Sequence, residues 1–182
     1  MPGEGRGLGP KGNVRSGDSR EIGVSLTPPG KVGKLQETLH AKAKSAPTYR
    51  FYALYDKVYR ADVLEHAYRC CRANDGTAGV DGQTFEDIEA HGALTWREGL
   101  AEELRKKAYR PQAVRRVNIP KPDGKPRPLG IPTVKDRVVQ TAVLAVLGPI
   151  FEADLPPEQH AYRPGHGALD AVRRAPPYEY RP

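Results

Sequence analysis

The chain has little with which to staple or anchor itself. Its 182 residues include two cysteines, one methionine and one tryptophan, and aromatic residues make up only 7%. The cysteines, Cys70 and Cys71, are neighbours and cannot bridge distant segments. No Cys-x-x-Cys or Cys/His spacing surrounds them, which excludes a disulfide framework and a structural zinc site. Two unprotected thiols fit a reducing, cytoplasmic-type compartment. No apolar run approaches the roughly 18 residues a bilayer crossing needs, and Met1 leads into Pro2 and Gly3 instead of a signal-type stretch. Membrane insertion and secretion are therefore disfavoured. Apolar residues are 38% of the chain, below the roughly 45–50% of an average globular protein, so part of it is expected to stay outside any core. The five histidines lie in separate segments without metal-ligand spacing, no glycine-rich phosphate loop follows a strand, and the scattered aromatics do not make a base-stacking platform.

Positive charge is what the chain has in excess. Lys and Arg number 29 against 22 Asp and Glu, a formal +7. Such a balance favours anionic partners, nucleic acid above all. The charge is also concentrated. Between Arg105 and Arg137 stand eleven Lys or Arg (105, 106, 107, 110, 115, 116, 121, 125, 127, 135 and 137) and two acids, Asp123 and Asp136, which leaves the remainder of the chain slightly acidic. A patch of this density gains by releasing counterions when it meets phosphates.

The pattern along the chain predicts an α+β fold. Residues 1–47 hold nine of the 19 glycines within the first 33 positions and almost nothing apolar, so they are expected to be a disordered tail or a leader outside the fold. Residues 48–110 show helical periodicity. Leu54, Tyr55, Val58 and Tyr59 recur at helical spacing; Val63, Leu64, Ala67, Tyr68 and Cys71 form one face of a second helix that Asp62 can cap. Thr84 with Asp87 and Thr95 with Glu98 have capping-box spacing. The helix opened by Thr95 is expected to end near Tyr109, because Pro111 disfavours helix before it. Residues 113–119 then alternate with the period of a strand, placing Arg115, Val117 and Ile119 on one face and Val114, Arg116 and Asn118 on the other. Pro120 to Gly124 is turn chemistry, and a second strand returns from Arg127 to Ile131. Thr133 and Asp136 make a third box, opening an apolar, buried helix that Gly148-Pro149 is expected to close. A short last helix spans Ala168 to Arg174. Lys121 and Arg127 flank the turn at the two strand ends and are chemically suited to converge on one small polyanion, although spacing alone also fits plain surface charge.

Several consecutive motifs resemble one family. Tyr109-Arg110-Pro111-Gln112, followed by Arg115-Arg116-Val117-Asn118-Ile119-Pro120-Lys121-Pro122-Asp123-Gly124-Lys125-Pro126-Arg127-Pro128-Leu129-Gly130-Ile131-Pro132, is similar to the fingers hairpin of group II intron reverse transcriptases, the intron-encoded maturases. Leu54 to Val58 and Ala78 to Gly82 resemble that family's N-terminal extension, Asp136 to Gln140 and Pro149 to Glu152 the helix after the hairpin, and Ala161 to Gly165 the start of its next block.

The resemblance implies a right-hand RNA-directed DNA polymerase that also assists splicing of its intron RNA, with RNA template, DNA primer and incoming dNTP as partners. Residues 48–110 would then be the helical extension, 111–175 the fingers hairpin and the start of the palm, and 176–182 an aberrant tail. Carried over by position, Lys121 and Arg127 would meet the nucleotide triphosphate, Arg115 would lie beside them, and Ile131 would pack against the templating base pair. Gly79 and Asp81 would sit in a template-holding loop. Arg110, Arg116, Lys125, Lys135, Arg137 and Arg163 would be further nucleic-acid contacts. The family uses Mg²⁺ held by palm aspartates, but this chain has no Asp after Asp170 and no Asp-Asp pair. It also departs from the pattern at His166-Gly167 and after Arg174. The expectation is accordingly a fragment truncated before the catalytic palm, without catalytic residues of its own. A non-enzymatic RNA-binding module and a fragment with no present role are the alternatives.

Overall fold

A computed structural model describes residues 26–122, 124–161, 163 and 167–174. Its described elements are α1 (Gly30–Ser45), α2 (Tyr55–Val58), α3 (Ala61–Ala73), α4 (Phe85–Ala90), α5 (Ala93–Arg105), the strands β1 (Arg115–Pro120) and β2 (Pro126–Ile131), α6 (Val134–Asp154) and α7 (Ala168–Arg174). The architecture is α+β, a group of helices with one antiparallel two-stranded hairpin. No helix among the described residues is long and apolar enough to cross a membrane.

The organising element is α6, against which α1 and α3 both pack. Val134, Val138, Val139, Ala142, Ala145 and Val146 of α6 are buried with Leu64 and Ala67 of α3, Phe85 and Ile88 of α4, and Leu100 and Leu104 of α5 in one cluster. Each Val, Leu, Ile or Phe among them, fully removed from water, stabilises the fold by about 1.5–3 kcal/mol. Tyr68 meets Phe85 edge-on at 5.6 Å between ring centroids and Trp96 at 5.9 Å, extending the core toward α5. The apolar periodicity of α3 thus reports its burial directly, whereas α6, apolar nearly all round in sequence, buries one side and leaves Leu144 and Phe151 exposed.

Four expectations about where elements begin and end need correction. First, the assignment of residues 1–47 to a tail does not hold over α1: Val32, Leu39 and Ala43 are buried, and Val32 and Leu39 join the core on α6. Glycine content misleads here because three apolar residues on one side of a helix suffice to dock it. Residues 1–25 and 176–182 lie outside the described residues, so the readings of those segments do too. Second, Thr95 does not open α5. The helix starts at Ala93, its first bond running from the Trp96 N–H to the Gly92 carbonyl at 3.1 Å, and it ends at Arg105 rather than near Tyr109. Third, the Leu54–Tyr59 periodicity produces only the single turn of α2. Fourth, α6 does not close at Gly148-Pro149 but runs on to Asp154. Pro149 has no N–H to offer the carbonyl of Ala145, four residues back. The Gln36 side chain supplies the missing donor from α1, its Nε2 lying 3.1 Å from the Ala145 oxygen. Lys44 Nζ, 3.1 Å from the Ala153 oxygen, satisfies a carbonyl at the end of the same helix, where a cation is also favoured by the helix dipole.

Asp62 does not cap α3, which starts at Ala61 after Arg60, whereas the Thr84 box forms as its spacing suggests. Thr84 and Asp87 form a reciprocal box at the start of α4, with bonds of 2.9 and 3.1 Å. The Thr84 N–H and the Thr84 hydroxyl, at 2.9 and 2.8 Å, both donate to the Asp87 carboxylate and hold it below its ordinary value.

Candidate nucleic-acid interface

The ribbon formed by β1 and β2 is exposed over nearly its whole length. Its register pairs Arg115 with Ile131, Arg116 with Gly130, Val117 with Leu129, Asn118 with Pro128, Ile119 with Arg127 and Pro120 with Pro126. The ladder carries on into the turn, where the Lys121 N–H donates to the Lys125 carbonyl at 3.0 Å. The Gly124 N–H closes the turn onto the Lys121 carbonyl at 2.9 Å, and Gly124 takes φ +78°, a conformation that residues with a Cβ adopt only at a cost.

Directly opposed residues share a face, and side chains alternate along each strand. One face of the ribbon therefore carries Arg115, Val117, Ile119 and Lys121 from one arm and Lys125, Arg127, Leu129 and Ile131 from the other. All four residues expected at a nucleotide, namely Lys121, Arg127, Arg115 and Ile131, fall on this face. Cations stand at its two ends around an apolar middle, in which Val117 is 36% and Leu129 40% exposed. The other face carries Val114, Arg116, Asn118, Pro120, Pro126, Pro128 and Gly130, where Arg116 is the only cation among the described residues. Among the described residues, Arg116, Lys121 and Arg127 are exposed and have no ion pair or side-chain hydrogen bond. A cation without an internal partner keeps its full capacity for an external anion.

The remaining cations proposed from sequence are engaged within the protein. Lys135 Nζ lies 3.0 Å from Glu103 on α5. Arg137 Nη2 donates to the carbonyls of Thr77 at 2.9 Å and Gly76 at 3.3 Å, and its guanidinium lies over the Phe85 ring at 5.5 Å. Arg163 pairs with Glu152 at 2.7 Å and donates to the carbonyls of Pro156 and Gln159. Arg110 folds back onto the carbonyls of Lys107 and Tyr109. Arg115, on the ribbon, donates to the Thr77 hydroxyl at 3.2 Å. In the 79–82 loop, the Asp81 carboxylate accepts the Gln83 N–H at 3.3 Å. Gly79 is buried against the start of α6, where a Cβ would stand 2.6 Å from the Thr133 Cα. That contact makes Gly79 a close-packing residue.

Sequence reasoning assigned no role to Tyr109 and expected the Asp136 carboxylate to close a capping box on Thr133. The Thr133 hydroxyl accepts the Asp136 N–H at 3.0 Å, as the box spacing suggests. The Asp136 carboxylate does not return to Thr133, however. It accepts the Tyr109 phenol on one oxygen and the Gln112 N–H at 3.2 Å on the other. Burial and the facing Asp136 carboxylate push the Tyr109 hydroxyl well above its ordinary value. The available signal was a tyrosine and a carboxylate at the two roots of a predicted hairpin.

For Mg²⁺, the described residues contain no group of three or more His, Cys, Asp and Glu able to hold a metal ion. The nearest buried carboxylate, Asp136 at 3% exposure, has both oxygens occupied by Tyr109 and Gln112. The side chains assembled here do not fit a magnesium site.

Comparison with known proteins agrees with the motifs. No family model matches the chain. It is 35% identical over 144 residues to protein YkfC of Escherichia coli K12, covering 78% of this chain and 38% of that protein. It is 34% identical over 135 residues to the group II intron-encoded protein LtrA of Lactococcus lactis subsp. cremoris, covering 68% of this chain and 21% of LtrA. A putative COX1/OXI3 intron 1 protein of Saccharomyces cerevisiae is 28% identical over 111 residues, covering 61% of this chain and 13% of that protein. The chain thus spans well under half the length of the curated relatives it matches. Over about two thirds of its own length the chain is thus similar to group II intron-encoded proteins.

Proposed function

We propose that the chain provides the cationic fingers ribbon of a group II intron-encoded reverse transcriptase/maturase, with intron RNA, template and incoming nucleotide as its ligands. The observation that carries this reading is the single ribbon face holding Arg115, Lys121, Arg127 and Ile131, with Lys121 and Arg127 lacking a side-chain partner among the described residues. An arginine fork and a lysine point charge on one face suit a polyphosphate, since the first matches phosphate oxygens in pairs and the second adds charge without demanding geometry. Val117, Leu129 and Ile131 between them offer an apolar surface to a base pair. Arg116 and Lys125 extend the positive field to the neighbouring backbone. The ribbon's part in DNA synthesis is neutralisation and positioning at the triphosphate, whereas the transfer of the phosphoryl group belongs to carboxylates outside this set of residues. By itself the chain binds nucleic acid and does not polymerise.

The test has two arms. Binding of this chain to structured RNA should weaken steeply as salt rises, each phosphate contact adding roughly 0.7–0.9 to the slope of log affinity against log salt. An affinity indifferent to salt overturns the interface. In a full-length relative, replacing the residues matching Lys121 and Arg127 by alanine should reduce nucleotide incorporation more than RNA binding. An equal loss in both makes them backbone contacts instead. Primer extension by this chain alone should give no product, and processive synthesis would contradict the assignment of the chemistry to residues elsewhere.

A further inference from the structure

Three consecutive residues in the first turn of α6 reach three different neighbours. Lys135 pairs with Glu103 on α5, Asp136 accepts from Tyr109 and Gln112 on the segment entering β1, and Arg137 donates to the carbonyls of Gly76 and Thr77. Thr77 in turn accepts from Arg115 on β1 through its hydroxyl, and Gly79 seats the same loop against Thr133, immediately after the residue that leaves β2 for α6. Both roots of the ribbon and the loop beside it are thus tied to one helical turn, while the strands themselves are exposed and contribute almost nothing to the core. A ribbon without core contacts has no other means of holding a fixed direction. The investment in this turn is also large. Asp136 is a carboxylate at 3% exposure, and Arg137 keeps its Nε buried without a hydrogen-bond partner among the described residues. Burying such groups is costly unless they are hydrogen-bonded, and the bonds that meet this need here run to the ribbon's entry segment and the Thr77 loop.

We infer that Asp136 and Arg137 are positioning residues that set the direction of the ribbon relative to the helices, Asp136 through its two entry-strand bonds and Arg137 through the Thr77 loop that receives Arg115. The two act on the ribbon through different segments, Asp136 through residues 109–112 and Arg137 through the loop at Gly76 and Thr77. Loss of either therefore leaves the strands paired and their charges unchanged but frees the ribbon to swing about residues 112 and 132. This goes beyond the binding reading, since it concerns how the face is aimed and not what it meets.

Spin labels at Asn118→Cys on β1 and Glu65→Cys on α3, both exposed positions, report that direction as a distance distribution in the full chain without RNA, with single-label controls for the buried Cys70 and Cys71. The parent should give one narrow distance. Tyr109→Phe, which deletes only the phenolic O–H, and Arg137→Met should each at least double its width while melting cooperatively near the parent temperature. Asp136→Asn, which keeps an acceptor, should restore most of the narrowness lost in Asp136→Ala. Should Asp136→Ala fail to fold, the Tyr109→Phe and Arg137→Met distributions decide. A parent distribution already as broad as the variants', or variants as narrow as the parent, overturns the inference. Because no nucleic acid is present, failure of the RNA reading would leave this result untouched, and the reverse also holds.

Discussion

The helical body and the ribbon use the same residue types in opposite ways. In the body, many cations are tied down, Lys135 to Glu103, Arg163 to Glu152, Arg60 to Asp62 at 2.5 Å, and Arg72 to both Glu86 and Glu89 at 3.0 Å, while Lys31, Lys34 and Lys107 stand exposed without an ion pair among the described residues. Apolar side chains of its core cluster are buried, although Leu94, Leu144 and Phe151 are exposed. On the ribbon, Arg116, Lys121 and Arg127 have no internal partner among the described residues, and Val117 and Leu129 stay open to water. Charge density alone therefore does not locate an interface. The discriminating feature is a group of unmatched cations on one exposed ribbon, beside the apolar strip of Val117 and Leu129.

Truncating an apolar side chain in each region gives the largest expected contrast. Leu64→Ala, at a residue 1% exposed, should destabilise the fold by about 2–5 kcal/mol. Leu129→Ala on the ribbon, at 40% exposure, should cost under about 1 kcal/mol. Urea unfolding followed by circular dichroism reads both, and equal losses would mean that the ribbon belongs to the core. A smaller effect sharpens the account of α6. Gln36→Ala should cost about 1 kcal/mol in the parent, because the Ala145 carbonyl loses its donor. The same change should cost almost nothing in a Pro149→Ala background, where the restored N–H takes over that carbonyl. A full cost in both backgrounds would show that Gln36 acts by packing.

The smallest effect concerns acid. Burial, helped by the Arg69 charge, holds the His66 imidazole below its ordinary value of 6.5. The unfolded chain therefore takes up the His66 proton first as pH falls, so this contribution to stability is complete above about pH 6.5 and is lost as pH drops through the lower folded value. Melting temperature should decline on acidification through that window, and His66→Gln should flatten the decline. A melting temperature that rises on acidification contradicts this.

Much of this contrast could be read in advance, for physical reasons that differ from element to element. The ribbon was legible because strand alternation, proline and an Asp-Gly turn are local signals, and its face assignment follows from parity alone. The α3 and α6 stripes were legible because both helices bury one side or more. What escaped the sequence was non-local. Nothing near Pro149 announces that Gln36, over a hundred positions earlier, will supply its missing donor. Likewise, the spacing of Thr133 and Asp136 suggests a closed box, whereas folding brings Tyr109 to that carboxylate instead. Matched and unmatched cations look identical in sequence, which is why Lys135, Arg137 and Arg163 shared a list with Lys121 and Arg127.

The most direct test of the central claim compares two charge reversals of equal size. Arg116→Glu, Lys121→Glu and Arg127→Glu together on the ribbon change net charge by the same amount as Lys31→Glu, Lys34→Glu and Lys42→Glu on the exposed side of α1. Affinity for structured RNA should collapse in the ribbon variant, at an unchanged melting temperature, and persist largely in the α1 variant. Equal losses in the two would show that binding follows total charge, and would contradict the assignment of the interface to the ribbon.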